Sequence, residues 1–147
     1  MHPSWERYCK WLAEEYPAIA ATKPQDELIY LAAPYSKVDD KELLMQQIMA
    51  FSGTYMLHCP GHHIVSPLFN HFSLDKVPGL GSDYAFWGAY SVNLLRRCDH
   101  LMVICLPGWQ NSTGVEDEVR RATEAGIPIE YVSANLFQVM ANLSIKN

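Results

Sequence analysis

Leu101-Met102-Val103-Ile104-Cys105-Leu106-Pro107-Gly108-Trp109-Gln110-Asn111-Ser112-Thr113-Gly114-Val115-Glu116-Asp117-Glu118 is the stretch on which the fold turns. Its first six residues are apolar without alternation, the pattern of a parallel strand buried on both faces. Pro107-Gly108 breaks the run, Thr113 opens a helix reaching Ala125, and Gly126 ends it. Downstream, Ile127 to Val132 reads as a strand and Ala134 to Leu143 as a last helix.

Upstream, the same cycle recurs. Glu27 to Ala32 is a strand stopped by Ala33-Pro34, and Asp39 to Leu57 is a helix with Leu43, Leu44, Ile48, Phe51, Tyr55 and Met56 on one face. Cys59-Pro60-Gly61 turns the chain into a short strand, His63-Ile64-Val65. Ser66 to Gly81 reads as a loop whose length marks it as functional, and Asp83 to Arg97 as a helix. Ahead of all this, Ser4 to Tyr16 carries Trp5, Tyr8, Cys9, Leu12 and Tyr16 at helical spacing. Alternating strands and helices predict a three-layer α/β/α domain. Its sheet is mainly parallel, flavodoxin- or Rossmann-like, with four to five strands, and a helical extension over residues 1–26 completes a single domain spanning 1–147.

Composition narrows the function. The chain has 147 residues, and eleven Lys+Arg against sixteen Asp+Glu give a formal charge of −5. No sequence-wide basic field exists to hold a long nucleic acid. No apolar stretch approaches the roughly 20 residues that a bilayer demands, and the N-terminus lacks signal-peptide grammar, so a soluble cytoplasmic protein is expected. Cys9, Cys59, Cys98 and Cys105 are scattered in a chain long enough to fold without disulfides.

Ligands of such sheets bind beyond the carboxyl ends of the strands, which directs attention to residues 33–38, 66–82 and 107–113 and demotes Asp99, at a strand's amino end. The helix start at residues 112–114 offers free N–H groups to an anion such as phosphate. Three acids follow. Thr113 and Glu116 fit a capping box, Glu116 lies four residues before Arg120, and Asp117 lies four before Arg121. Glu118 faces Ala122 at that spacing and lies roughly 60° from the stripe of Val115, Val119 and Ala122, which aims it at a cleft. A carboxylate there serves as nucleophile or general base. His58, Cys59, His62, His63 and His71 do not have zinc spacing, so no metal and no cofactor is expected, and His71 is better read as a sugar or phosphate contact. Of the four tryptophans, Trp109 stands out because it follows a strand-ending Pro-Gly on the ligand side.

Tyr30-Leu31-Ala32-Ala33-Pro34-Tyr35-Ser36, Ser66-Pro67, Cys98-Asp99, Leu106-Pro107-Gly108-Trp109 and Ser112-x-Gly114-Val115-x-x-Glu118-x-x-x-Ala122 occur in that order. In these motifs the chain resembles the nucleoside 2-deoxyribosyltransferase-like superfamily, especially its small bacterial and phage proteins of uncharacterised function. The likeness runs from about Glu27 to Tyr131. It implies that Glu118 is the nucleophile on the anomeric carbon, that Ser112 stands where 5′-monophosphate enzymes have a serine, and that Ala33, Pro34, Tyr35 and Ser36 form a loop packing on base or sugar, with Gly114 beside them. It also implies a homo-oligomer. The sequence departs from the family at Ser91, where relatives have an acid that serves the leaving base, so Asp83 or His71 is the candidate substitute. The expected activity is cleavage of the N-glycosidic bond of a (deoxy)nucleoside 5′-monophosphate. Deoxyribosyl transfer between bases and non-catalytic nucleotide binding are the alternatives.

Overall fold

The structure, a computed structural model, describes residues 26–74, 76–80 and 84–145, with isolated helical positions between 7 and 17. The expected N-terminal helix therefore lies largely outside the described residues, as does Asp83.

Four strands, β1 (Glu27–Ala32), β2 (His62–Val65), β3 (His100–Cys105) and β4 (Ile129–Ser133), pair in the order β2-β1-β3-β4. Every pairing is parallel. The described helices are α1 (Lys41–His58), α2 (Pro67–Leu74), α3 (Tyr84–Leu95), α4 (Thr113–Glu124) and α5 (Ala134–Ile145). None is long and apolar enough to cross a membrane.

Period-two geometry sorts the strand side chains into two cores. Ile29, Leu31, Ile64, Met102, Ile104 and Val132 meet α1 and α5 through Leu44, Ile48, Phe51, Phe137 and Ala141. Tyr30, Ala32, Leu101 and Val103 point the other way, onto Leu95 near the end of α3 and onto Val115 and Ala122 of α4. Both faces are covered, as the unbroken apolar runs required. Asp99 has a structural task at the amino ends, where its Oδ2 accepts from the Leu28 N–H at 2.8 Å.

Residues 66–81 depart from the loop reading. Ser66 is buried, its hydroxyl donates to the Leu31 carbonyl at 2.8 Å, and the same oxygen accepts from the Leu68 N–H at 3.2 Å. Pro67 follows at the first helical position, where its missing N–H costs nothing, and α2 is the result. On α1, Leu43 is exposed and Met45 is buried, a small rotation of the predicted face.

Candidate functional site

A cavity of about 490 Å³ opens beyond the carboxyl ends of β1 and β3. The β1–α1 loop supplies Ala33, Tyr35 and Ser36, with Lys41 from the first residue of α1. Helix α2 supplies His71, α3 supplies Trp87, Gly88 and Ser91, and α4 with its cap supplies Ser112, Thr113, Gly114, Asp117 and Glu118.

Ser112, and not Thr113, is the N-cap of α4: its hydroxyl accepts from the Val115 N–H at 3.4 Å, and the Glu116 N–H bonds the Ser112 carbonyl. The capping box expected of Thr113 and Glu116 is thus out of phase by one residue. Because the Ser112 oxygen is the acceptor in this cap, its O–H is left to donate into the cavity. Gly114 separates that hydroxyl from the nucleophile candidate. A Cβ on residue 114 would lie 4.0 Å from both Ser112 Oγ and Glu118 Oε1, so the two oxygens flank the bare backbone.

Glu118 is half-buried in the cavity wall, and desolvation there is the main reason its carboxyl is pushed up to about 7; Tyr30 opposes the shift and the neighbouring charge of Asp117 adds to it. Tyr30 lies fully buried in β1, on the sheet face that packs against α3 and α4. Its phenol is pushed well above the ordinary range by burial first and then by Glu118, while Ser91 acts in the opposite sense. The hydroxyl therefore lies among the Glu118 carboxyl and the Ser91 hydroxyl, although it completes no hydrogen bond of standard geometry.

Asp117 is clamped by two guanidiniums, Arg121 Nε at 2.8 Å from Oδ2 and Arg120 on Oδ1. The pairing with Arg121 is the expected one. Arg120 does not pair with Glu116; it takes Asp117 and Glu124 instead.

Across the cavity stands an aromatic wall. The His71 ring stacks on Trp87 with centroids 4.1 Å apart and lies 4.9 Å from Tyr35, both aromatics being nearly buried. Lys41 Nζ donates to the carbonyls of Val38 at 3.0 Å and Ser36 at 3.3 Å and lies 5.5 Å from the Tyr35 ring centre. Two of its three N–H groups are thereby used, and the third is left for a ligand.

The structure thus brings together Ala33, Tyr35, Ser36, His71, Ser91, Ser112, Gly114 and Glu118. Pro34 is buried behind the loop and does not line the cavity. Trp109 is also outside it. Gly108, at φ +89°, turns the chain so that the indole packs on Tyr131 at 5.6 Å, on the β4 side. Sequence reasoning missed Tyr30, Lys41 and Trp87. A tyrosine within an otherwise aliphatic strand was the available signal for the first, since a buried hydroxyl requires a polar neighbour. Among the described residues, no three His, Cys, Asp or Glu side chains converge as a metal would require.

No curated protein matches the chain. Residues 27–134, from the start of β1 to the start of α5 and so including every described cavity-lining residue, match a domain of unknown function, DUF1937. The chain belongs to the DUF1937 family.

Proposed function

We propose that this protein cleaves the N-glycosidic bond of a (deoxy)nucleoside 5′-monophosphate, with Glu118 as nucleophile. The observation that carries the reading is an acid, Glu118, that lines a cavity of nucleotide size, with a free-donor helix start on one side and the Tyr30 phenol on the other, while the second acid there, Asp117, is taken up by two arginines. A nucleobase stacks favourably on a wall such as Tyr35 and Trp87. The phosphate suits the α4 amino end, with the Ser112 hydroxyl and the Lys41 ammonium as donors. The anomeric carbon then falls to Glu118, between the two ends.

In the first step a Glu118 oxygen bonds to the anomeric carbon, and the electron pair of the C–N bond leaves with the base. Water then displaces the carboxylate and releases the sugar phosphate, with net retention. Attack requires the ionised carboxylate. Activity should therefore rise with pH through about 7, the region to which burial has moved this group. If a second base takes the place of water, the same intermediate yields a deoxyribosyl transfer.

One observation favours a second reading, nucleotide binding without turnover. Ser91 lines the cavity where a proton donor for the leaving base belongs, and a serine is too weak an acid for that task. Purified protein incubated with a panel of nucleosides and 5′-monophosphates, with and without a free acceptor base, distinguishes the readings by chromatography of the released base. Release that depends on the 5′-phosphate supports hydrolysis, exchange that depends on acceptor supports transfer, and tight binding of a nucleotide that is never cleaved supports the binding module.

A further inference from the structure

A second depression, of about 430 Å³, lies on the far side of α3, between that helix and α4. Gly88 borders both cavities, so the α3 backbone is the partition between them. The floor of the groove is small and apolar, with Gly88, Ala89 and Val92, and its polar side chains are Asn93, Arg96 and Arg121. The acceptor side of Asn93 is occupied, because its Oδ1 receives Arg97 Nη1, which leaves the amide N–H groups as its donors to a ligand. Arg96 makes no ion pair among the described residues. Arg121 donates its Nε to Asp117, and its terminal nitrogens make no hydrogen bond or ion pair among the described residues. Every polar side chain presented to this groove is consequently a donor. Arginine is also concentrated here: four of the chain's five arginines, Arg96, Arg97, Arg120 and Arg121, sit on α4 or just past the end of α3, in a chain of formal charge −5.

We propose that this groove is a second site, one that binds a phosphate group between Arg96 and Arg121 with the Asn93 amide as a third donor. Guanidiniums match phosphate as planar two-point donors, and a floor without long side chains lets the anion sit between them. A cationic ligand finds no acceptor side chain on the groove's lining, and an apolar one leaves two guanidiniums desolvated without a partner. The site does not depend on the chemistry proposed for the first cavity. It is nevertheless joined to that cavity, since Arg121 also holds Asp117, the neighbour of Glu118.

The test is titration of 15N-labelled protein with inorganic phosphate and, in a second arm, with ribose 5-phosphate, at fixed ionic strength with chloride as the balancing anion. The Asn93 side-chain amide, the Arg121 Nε–H and the Ala89 backbone amide should shift saturably, with a midpoint near or below about 1 mM. Arg96→Gln, at an exposed position whose side chain makes no ion pair among the described residues, should weaken binding at least about tenfold, the loss of one charged hydrogen-bonding group. Ser112→Asp, which disables the anion site of the first cavity and retains the helix cap, should leave the groove's shifts in place. The tighter of the two probes tells whether the ligand is free phosphate or a phosphate ester. Shifts that rise without saturation, that are confined to Gly114 and its neighbours, that survive Arg96→Gln or that vanish with Ser112→Asp would overturn the proposal.

Discussion

Replacing Glu118 with Gln is expected to stabilise the protein, and to do so more at pH 8 than at pH 5. Burial lifts the carboxyl from an ordinary 4.5 to about 7. Between those values the folded state holds a proton that the unfolded state has released, so stability falls as pH rises through this window and levels off above it. Integrated from pH 5 to pH 8, this difference comes to about 2.5 kcal/mol. Solvent that enters the open cavity screens part of it, leaving roughly 1–2 kcal/mol. Glutamine does not titrate. Whatever its amide gains or loses in the cavity is the same at both pH values, and the difference between them isolates the ionisation. For a chain of this size the extra gain at pH 8 corresponds to about 3–6 °C in Tm. Thermal unfolding of both proteins at the two pH values measures it. A substitution effect equal at pH 5 and pH 8 would refute the argument that Glu118 is held in an environment hostile to its charge.

Tyr30→Phe removes a neighbour that lowers the Glu118 pKa, so the rise of activity with pH should move to higher pH, as a pH–rate profile will show. Ser112→Asp should weaken a 5′-monophosphate more than its nucleoside by calorimetric titration while leaving stability unchanged, because aspartate caps a helix as well as serine; Ser112→Ala should cost about 1 kcal/mol of stability. Ser91→Asp puts a carboxyl on the cavity wall and should raise turnover by about 10²-fold if a base-side acid is what the site lacks, read as the rate of base release. No gain from that variant, in an enzyme already fast, assigns the proton to another group.

Much of the architecture was legible because burial on both faces leaves a strong mark. Leu101 to Leu106 is apolar throughout, and the strand it foretold is β3, ending one residue earlier, at Cys105. The helix that follows was equally legible from Val115, Val119 and Ala122, and the same arithmetic singled out Glu118. What failed was local. Residues 66–81 read as a loop, yet Pro67, behind a serine whose hydroxyl accepts from the Leu68 N–H, is a helix start, and the eight-residue α2 that follows carries His71. Ser112 and Thr113 both bear hydroxyls, so the sequence gives no phase for the cap; the β-region backbone at Ser112 decides it. Tyr30 reads as core from its neighbours, and its contact with Glu118 and Ser91 follows only once α3 and α4 are known to cover the same face of β1. Trp109 lies outside the cavity, because position after a strand end says nothing of direction and the left-handed Gly108 sends it toward β4.

The central claim is that Glu118 itself attacks the sugar, and trapping the intermediate tests it most directly. Protein quenched in acid during turnover of a deoxynucleoside 5′-monophosphate, then digested and weighed by mass spectrometry, should carry one deoxyribosyl phosphate on the peptide containing Glu118. The adduct should be absent from Glu118→Gln and present in Glu116→Gln. Base release by the unmodified protein with no adduct, or with an adduct on another residue, would contradict the account.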